Sequence, residues 1–449
     1  MKRKLKWLIP LLTVFVVLFG VLLVFRDGGG EIRARAISEA KYPKAVQRPS
    51  EPTDNGDWDE YEKKYDKWWD EQIERRKYHG SGKNLDGFVS KTASAFLEDG
   101  KENRVYSPIS VYMALSMLAE VTDGATRAEI LSLLGSEDIA ALRERANAVW
   151  NANYSDDGIT KCVLGNSLWL SDDITYKKDT LSTLAKQYYA SSFYGEMGTK
   201  EYNKLFRNWL NDQTGGLLAK QVKNEKLSAY TVAAIASTIY FKTPWTEEFN
   251  ENQTKEDVFH ASTGDKRCDF LNGEEVERYV EGEKFSATSR GLEGNGNMWF
   301  ILPNEGISTD ELLTDSEALS FISAPNDYED VEYASVLLSV PKFDVNSRLD
   351  LIAGLKNLGV NACFDDAKSD FTPLTDLDSL YVSRADHAAR VKINEDGVEG
   401  AAYTVMAVEY TSVLAESKKI EFKADRPFIF VVTGADGLPL FIGTVNEVK

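Results

Sequence analysis

The most restrictive pattern in the chain lies near its C-terminal end, in the stretch from Glu395 to Phe422. It opens with the turn signal Asp396-Gly397 and continues as small and β-favouring residues. The residues of one parity carry no charge and are Val398, Gly400, Ala402, Thr404, Met406 and Val408. Glu399 and Glu409 fall on the other parity. Because side chains alternate along a strand, the pattern fits a strand inside a sheet with both glutamates in solvent. An ordinary edge strand is the alternative.

Composition excludes several classes of function. The chain has 449 residues, of which 43% are hydrophobic, so it is long enough to bury a sizeable core. The net charge of −19 disfavours binding to nucleic acid or to anionic lipid, because both need clustered cations. The three cysteines, Cys162, Cys268 and Cys363, are far apart and odd in number. They predict neither a disulfide framework nor a metal site, and no cofactor is expected.

The N-terminal residues predict a membrane anchor. Four basic residues, Lys2, Arg3, Lys4 and Lys6, precede an apolar run of 18 residues from Leu8 to Phe25. As a helix this run would span about 27 Å, close to the thickness of the hydrocarbon layer. The basic flank predicts a single-pass anchor over residues 1–26 with the remainder outside the cell. The alternative is a cleavable signal before a secreted protein, since Ala34-Arg35-Ala36 resembles a cleavage site. The charged run-up to that site favours the anchor.

Residues 27–83 predict a linker followed by an aromatic-rich helical stalk. The first part is polar and contains Pro43, Pro49 and Pro52, which is typical of a spacer. The second part, Asp57 to Lys77, has helical composition. Its aromatic residues at spacings of three and four are Trp58, Tyr61, Tyr65 and Trp68. This stripe predicts a packing face, either against the rest of the protein or against a partner.

From residue 84 to residue 449 the chain has no further linker and no internal repeat, so it predicts one unit. The predicted helices are Pro108–Leu118, Tyr202–Gln213 and Leu349–Leu358. The predicted strands are Val163–Leu170, Val232–Phe241, Met298–Leu302 and Val336–Phe343, with a closing hairpin of Arg426–Val432 and Leu438–Val445. Helices come first and mainly antiparallel strands follow, which indicates the α+β class.

No catalytic motif is present in the sequence. Nucleophile elbows, phosphate loops, dinucleotide fingerprints and zinc-protease helices are all absent. The pair Asp386-His387 invites a hydrolase interpretation, because a carboxylate orients histidine in many hydrolases. Neighbours along a strand point to opposite faces, however, so the pair does not form that arrangement. The chain is therefore not expected to be an enzyme, and a secreted hydrolase is the weakest hypothesis.

A family resemblance adds to this interpretation. The run Phe422–Val432, FKADRPFIFVV, resembles the C-terminal signature of the serpin family. Further family features occur in the same order along the chain: Asn103–Ser110, Thr126–Ile130, Asn166–Trp169, Trp209 with Thr214–Gly216, Tyr240–Lys242, Trp245, Leu302-Pro303, Pro341–Phe343, Leu358-Gly359 and His387. The resemblance covers residues 84–449. It leaves out the anchor and the aromatic helix.

The resemblance implies a fold of three β-sheets and eight or nine helices with an exposed reactive loop at about residues 396–417. It also implies a mechanism. A target serine protease attacks the loop as a substrate and forms a covalent acyl-enzyme, after which the cut loop inserts into the central sheet and distorts the protease. The partner implied is that protease, and the chain itself is expected to be a monomer.

The resemblance also assigns individual residues. The hinge of the loop is Gly397, Val398, Glu399, Gly400, Ala401 and Ala402. A cluster that controls the opening of the central sheet is Ser107, Ser110, Ser237 and His387, with Ser237 in the place of the family's usual asparagine. The residues at the top of the loop are Lys342 and Glu395, which match an ion pair, and Trp245, near the point where insertion begins.

The bond that the target cuts follows from the family's usual spacing after Glu395. This places the cut between Thr411 and Ser412, with Tyr410 and Val413 as alternatives for the reactive residues. There is no Arg or Lys between Glu395 and Lys418, which disfavours a trypsin-like target. An elastase-like serine protease fits best, and a chymotrypsin-like enzyme cutting after Tyr410 is second. The alternative function is a non-inhibitory serpin that acts as a surface binding or carrier module. The basic anchor and the cysteine usage suggest a bacterial cell surface.

Overall fold

The computed structural model describes residues 36–53, 56–80, 82, 84–98, 101–399 and 418–448, with helices mainly in the first half and strands in the second. The eleven α-helices of this part are α1 Trp58–Arg76, α2 Asp86–Leu97, α3 Pro108–Glu120, α4 Gly124–Leu133, α5 Ile139–Asn153, α6 Lys178–Gln187, α7 Lys200–Gln213, α8 Ala219–Val222, α9 Thr309–Leu312, α10 Ser316–Ser323 and α11 Ile352–Asn357. The number exceeds the eight or nine expected because α1 lies outside the predicted unit and α8 and α9 have only four residues each.

The strands form three sheets. They are β1 Ala36–Ser38, β2 Arg104–Tyr106, β3 Ser155–Asp156, β4 Lys161–Ser171, β5 Ala190–Gly195, β6 Ala233–Pro244, β7 Lys255–Ala261, β8 Gly264–Glu281, β9 Phe285–Leu292, β10 Gly296–Pro303, β11 Glu332–Pro341, β12 Asp344–Asp350, β13 Asp386–Lys392, β14 Gly397–Val398, β15 Lys419–Lys423, β16 Phe428–Thr433 and β17 Pro439–Val445. A six-stranded sheet has the order β1-β5-β4-β6-β14, with β3 beside β4. A nine-stranded sheet has the order β15-β11-β8-β9-β10-β16-β17-β2, with β7 beside β8, and β12 pairs with β13.

Helix α3 lies at the centre of the fold, in contact with β6 of one sheet and β17 of another. Ser107 caps the helix by accepting a hydrogen bond from the Ser110 N–H at 3.2 Å, and Pro108 occupies the first turn. Twelve of its thirteen residues are buried. The helix is therefore enclosed on nearly all sides, as expected for a helix in the core of a large domain.

The predicted α+β class is confirmed, as are most predicted elements. The prediction of one helix over Leu349–Leu358 is wrong, because β12 continues to Asp350 and the helix covers only Ile352–Asn357. Leu349 lies in the strand because it pairs antiparallel with His387. Tertiary pairing therefore overrides the local helical pattern.

The described part of the predicted linker is packed along the body and does not form a free spacer. Ala36 and Ser38 pair with Phe193 and Ser192 of β5, so β1 adds a strand to the six-stranded sheet. Beyond β1, the ring of Tyr42 packs against Trp150 at 5.1 Å and against two tyrosines, Tyr154 and Tyr189. The sequence missed this because the partners are more than a hundred residues away.

The aromatic stripe of α1 is a packing face in part. Asp57 caps the helix by accepting from the Glu60 N–H at 3.0 Å. Only Trp68 of the four stripe residues is buried, and its indole N–H donates to Asp157 Oδ2 at 3.1 Å. Arg48 lies over the Trp68 ring at 5.2 Å and pairs with Glu293 at 2.9 Å. Trp58 at the start of the stripe is 47% exposed.

Candidate functional site

The gap between β6 and β13, called the slot here, is one strand wide at its entrance, where β14 lies. On one side β6 pairs with β4 from Ala233 onward, and on the other its described partner is β14 alone. Val398 of β14 pairs with Thr243 of β6 and forms a bridge to Ile393, which directly follows β13. The two long strands therefore lie two strand spacings apart at this end, roughly 9.5 Å. Within the described residues, no other strand occupies the slot.

The chain enters the slot through a tight reversal at residues 394–397. The Asn394 N–H donates to the Gly397 carbonyl at 3.1 Å, and the Gly397 N–H donates to Asn394 Oδ1 at 3.2 Å. A Cβ on Gly397 would lie 2.3 Å from the Thr243 carbonyl oxygen, far inside van der Waals contact. Only glycine permits the backbone to approach β6 this closely. The turn signal read from the sequence thus has a structural reason.

Val398 fills the entrance of the slot. Its side chain is 2% exposed and lies beside Thr243, which is 1% exposed. The Thr243 hydroxyl donates to the Glu293 carbonyl and lies 3.0 Å from the Thr160 hydroxyl. The polar atoms around the entrance are therefore satisfied without Val398. A charged side chain at this position would have no counter-charge in these contacts.

The three predicted residues at the top of the loop surround the same reversal. Lys342 Nζ lies 2.9 Å from the Glu395 carboxylate, and the Thr254 hydroxyl donates to that carboxylate at 2.8 Å. Partial burial acts to raise the pKa of Glu395, but the hydrogen bonds from Lys342 and Thr254 outweigh it and hold the pKa below its usual value. The buried Trp245 donates its indole N–H to the Asn394 carbonyl at 2.8 Å.

Glu399 ends the described strand in an unusual conformation. Its φ is +71°, in the left-handed region, which costs a non-glycine residue about 1 kcal/mol or more. The Tyr240 hydroxyl donates to Glu399 Oε1 at 3.5 Å, and Oε2 is buried with no hydrogen-bond partner among the described residues. Burial raises the pKa of Glu399 to about 7, with Lys242, Tyr240 and Arg390 opposing the shift. The sequence predicts this glutamate in solvent, which is wrong for the described state because the left-handed residue breaks the alternation.

The predicted sheet-opening cluster lies where α3, β6 and β13 meet. Ser107 donates its backbone N–H to His387 Nε2 at 2.9 Å, so these two predicted residues are in contact. Ser110 contacts Ser107 through its N–H, while the hydroxyls of Ser110 and Ser237 are buried with no partner among the described residues. Burial lowers the pKa of His387 to about 4, which keeps the imidazole neutral at physiological pH.

The pair Asp386-His387 is separated as strand geometry predicts. Asp386 is on the exposed side of β13, where it accepts from Arg348 of β12 at 3.1 Å and also contacts Arg384. His387 is buried on the other side. The carboxylate does not orient the imidazole, and this arrangement gives no support to a hydrolase.

Several predicted residues fall outside the described part of the chain. They are Gly400, Ala401 and Ala402 of the hinge and Tyr410, Thr411, Ser412 and Val413 around the cut, together with the anchor at residues 1–26. Their assignments stay predictions. Among the described residues, no helix combines the length and the apolar character needed to cross a membrane.

Sequence reasoning missed the residues that build the entrance. Thr243, Glu293 and Asn394 contact the hinge or the atoms beside it, yet nothing in their local sequence marks them. The one usable signal is proximity to Trp245, since Thr243 precedes it by two positions. Their roles depend on the pairing between β6 and β14, whose residues are more than 150 positions apart.

Comparisons with known proteins identify a family and similar folds. The family model described as "Serpin (serine protease inhibitor)" matches residues 85–448. Serpin-ZX of Arabidopsis thaliana is 27% identical over 365 residues, covering 77% of this chain and 92% of the relative. The native-state structure of the thermophilic serpin tengpin is 26% identical with a TM-score of 0.72, covering 81% of this chain and 93% of that one. The complex of thyroxine-binding globulin with thyroxine is 20% identical with a TM-score of 0.67, covering 81% and 100%, and shows similarity of fold alone.

Proposed function

Because the chain belongs to the serpin family, we propose that it is a suicide-substrate inhibitor of an extracellular serine protease with an elastase-like pocket. The observation that carries the proposal is the position of Val398, paired with Thr243 on one side and bridged to Ile393 on the other. The first residues after the turn already occupy the slot as a strand. Insertion of the cut loop would continue that strand.

The register at the entrance supports this continuation. Gly397 lies opposite Pro244 and Val398 opposite Thr243. If Glu399 changed from its left-handed conformation to extended backbone, each further loop residue would pair with the preceding residue of β6. Continued in this way, Thr404 would lie opposite Ser237, and Val408 opposite Ala233, where β6 begins. On the other side, the bridge from Val398 to Ile393 would bring Thr404 opposite His387. The length of β6 thus suits the uncharged run that the sequence shows.

The same register gives the predicted cluster a role. Thr404 is the one hydroxyl among the uncharged parity from Val398 to Val408. It would arrive between Ser237, whose hydroxyl is buried without a described partner, and the neutral His387. A hydrogen bond there would satisfy a buried polar group, which stabilises the inserted state by about 1 kcal/mol. We propose that Ser237 takes over in this way from the asparagine usual in the family.

The chemistry of the trap belongs to the protease. Its serine hydroxyl attacks the carbonyl carbon of Thr411, the peptide bond to Ser412 breaks, and the amine of Ser412 leaves with the proton. An ester then joins the protease to Thr411. Insertion of residues up to about 408 carries that ester away from the loop's original position, together with the protease. Distortion of the protease's active site prevents the water attack that would release it.

The choice of an elastase-like target rests on the residues flanking the cut. Val408, Thr411, Val413, Leu414 and Ala415 are all uncharged and small or aliphatic. A chymotrypsin-like enzyme cutting after Tyr410 is the second candidate, since an aromatic residue suits its pocket.

The second candidate function is a non-inhibitory surface binding or carrier module. Its support is the fold similarity to thyroxine-binding globulin, whose structure contains thyroxine. A non-inhibitory serpin would be cut without forming a complex, and cleavage would not raise its thermal stability. The uncharged parity and the seated Val398 favour the inhibitor.

We also propose that residues 1–26 anchor the protein as a single pass in a bacterial cell membrane, with the body outside. The basic flank and the 18-residue apolar run support this location. The alternative is secretion after cleavage near Ala36. N-terminal sequencing of the mature protein would decide: a new terminus near residue 36 would contradict the anchor.

Incubation of the full chain with pancreatic elastase tests the inhibitor proposal. We expect a covalent complex that survives SDS, and mass spectrometry should place the new N-terminus of the released C-terminal fragment at Ser412. Elastase with a chemically blocked serine is the control and should give no such complex. Complete cleavage with no complex would contradict inhibition of elastase and favour the carrier function.

A further inference from the structure

Helix α1 carries a row of side chains on a face that does not pack against the body. The members of this row, called the α1 ridge here, are Glu62, Tyr65, Trp69, Ile73 and Arg76. Their spacings of three and four residues place them along one side of the helix. Trp69 is 39% exposed and Ile73 is 48% exposed, while Tyr65 is half-buried. The buried Trp68 marks a different side, which faces the body.

The ridge has an apolar centre and a charge of opposite sign at each end. The rings of Tyr65 and Trp69 are stacked, with an interplanar angle of 9° and centroids 6.5 Å apart. The guanidinium of Arg76 lies over the Trp69 ring at 5.1 Å, an arrangement that leaves its N–H edge able to bind a carboxylate. Three ion pairs within α1 or at its end involve other residues. Among the described residues, neither Glu62 nor Arg76 belongs to an ion pair, and both are exposed.

The order of residues along the ridge is self-complementary. Tyr65 and Ile73 lie four residues to either side of Trp69, and Glu62 and Arg76 lie seven residues to either side of it. A second α1 that runs antiparallel, with a two-fold axis beside Trp69, would place Tyr65 against Ile73 and Glu62 against Arg76. Two-fold symmetry makes each of these contacts twice. A parallel arrangement would set like charges side by side, so the charge order selects the antiparallel one.

The attachment of α1 to the body leaves room for such a pair. The hydrogen bonds that join the helix to the rest of the described chain come from residues 68–75. Trp68 donates to Asp157, and Arg75 donates to the Tyr154 carbonyl. In an antiparallel pair, the C-terminal half of one helix meets the N-terminal half of the other. The two bodies therefore lie towards opposite ends of the pair.

We propose that the α1 ridge binds the α1 ridge of a second copy of this chain, as an antiparallel pair with two-fold symmetry. The complementary charges at the ends and the exposed apolar centre identify this partner. The pairing does not depend on the proposed inhibitory function. It departs from the monomer expected from the family resemblance, which does not extend to α1. A single helix face is smaller than a standard stable interface, so we expect a weak dimer with a Kd on the order of 10 µM.

Sedimentation equilibrium of the full chain, in a density-matched mild detergent, tests the pair. Glu62→Lys and Arg76→Glu each bring two pairs of like charges together, so each should raise the Kd of the dimer about tenfold. The double variant restores both ion pairs in reversed order, and its Kd should return to within about threefold of the wild-type value. Trp69→Ser removes the aromatic contact at the two-fold axis and should raise the Kd about a hundredfold.

Lys67→Glu is the matched control, because it reverses an exposed charge on the opposite side of α1 and should leave the Kd unchanged. A wild-type chain that stays monomeric at about 100 µM would overturn the proposal. Single reversals that weaken the dimer with no recovery in the double variant would also overturn it, since Glu62 and Arg76 would then not face each other. A dimer whose Kd none of the ridge variants changes must form elsewhere, which contradicts the pairing of α1. No protease is present in these measurements, so their outcome leaves the proposed inhibition to its own test.

Discussion

At one edge of the six-stranded sheet β1 covers β5, whereas at the other edge β6 has a described partner only at Gly397 and Val398. An unpaired strand edge is a hazard, because its backbone groups can pair with another chain. The chain closes the first edge with its own N-terminal residues. On our proposal the second edge receives the cut loop, so that one edge would serve stability and the other would serve function.

One residue, Glu293, contacts both the N-terminal segment and the slot entrance. The Glu293 carboxylate pairs with Arg48 of the N-terminal segment, while its backbone carbonyl accepts from the hydroxyl of Thr243 at the slot entrance. Trp68 of α1 reaches the same region through Asp157, which also accepts from the Thr160 N–H. The N-terminal segment therefore supports the wall of the slot and does not enter it.

The largest expected effect comes from placing a charge in the open edge. Val398→Arg would require a cation to be buried beside Thr243, which costs several kcal/mol and blocks insertion. We expect elastase to cut the loop and leave as free enzyme, with covalent complex reduced at least a hundredfold on SDS gels.

Val398→Thr is the matched control, because it keeps the size and adds no charge, and it should still trap the protease. Undiminished trapping by the arginine variant would contradict the insertion mechanism. Val398 is already buried in the uncut protein, but the uncut chain can release the hinge and keep the arginine in solvent, whereas insertion requires position 398 to be buried. The free energy of unfolding of the uncut protein should therefore change less than the yield of complex.

At the edge covered by β1 we expect a smaller effect, which lowers the stability of the fold and leaves inhibition unchanged. Tyr42→Ala removes a ring that packs against Trp150, Tyr154 and Tyr189. We expect the free energy of unfolding to fall by about 2–3 kcal/mol, measured by urea denaturation, as for other buried aromatic truncations.

The molar ratio for inhibition should be unchanged in that variant, since the rings that Tyr42 packs against lie on α5 or directly after α5 and directly before β5, not on β6 or β14. Ile37→Ala at the same edge is the control, because this side chain is already 49% exposed. Loss of trapping in Tyr42→Ala with little loss of stability would show that the two edges are not separate in function.

The smallest expected effect is a pH dependence at the seated hinge. The pKa of Glu399 is about 7 in the slot, raised by burial above the ordinary value of 4.5. The seated hinge therefore binds a proton more tightly than a released hinge in solvent does. The hinge conformation in which Glu399 is buried is therefore most stable below about pH 4.5, and it loses stability as the pH rises from there to about 7.

Hydrogen exchange of the amides from Ile393 to Glu399 measures this effect, once rates are corrected for intrinsic pH dependence. We expect protection to fall by up to about tenfold between pH 5 and pH 8, allowing for partial exposure of the carboxylate. Glu399→Gln should remove the pH dependence. A glutamine variant that keeps it would assign the titration to another group.

Much of the fold and part of the site could be predicted from the sequence. The Ser107-Pro108 start of α3 and the Asp396-Gly397 turn are local signals, because the residues that cap or turn the chain are neighbours in sequence. The contact between Lys342 and Glu395 was available only through the family resemblance. The contact of Thr243 with Glu293, the cover that β1 gives β5, and the burial of Glu399 were not predicted.

The sequence by itself determined that the loop can form a strand with one uncharged face. The uncharged parity from Val398 to Val408 is a property of period two and needs no partner to be recognised. Only the tertiary structure shows where such a strand could pair, because the entrance is formed by the register of β14 against β6 and by the bridge from Val398 to Ile393, which follows β13. Register between residues more than 150 positions apart depends on how the whole core packs, and no local pattern encodes it.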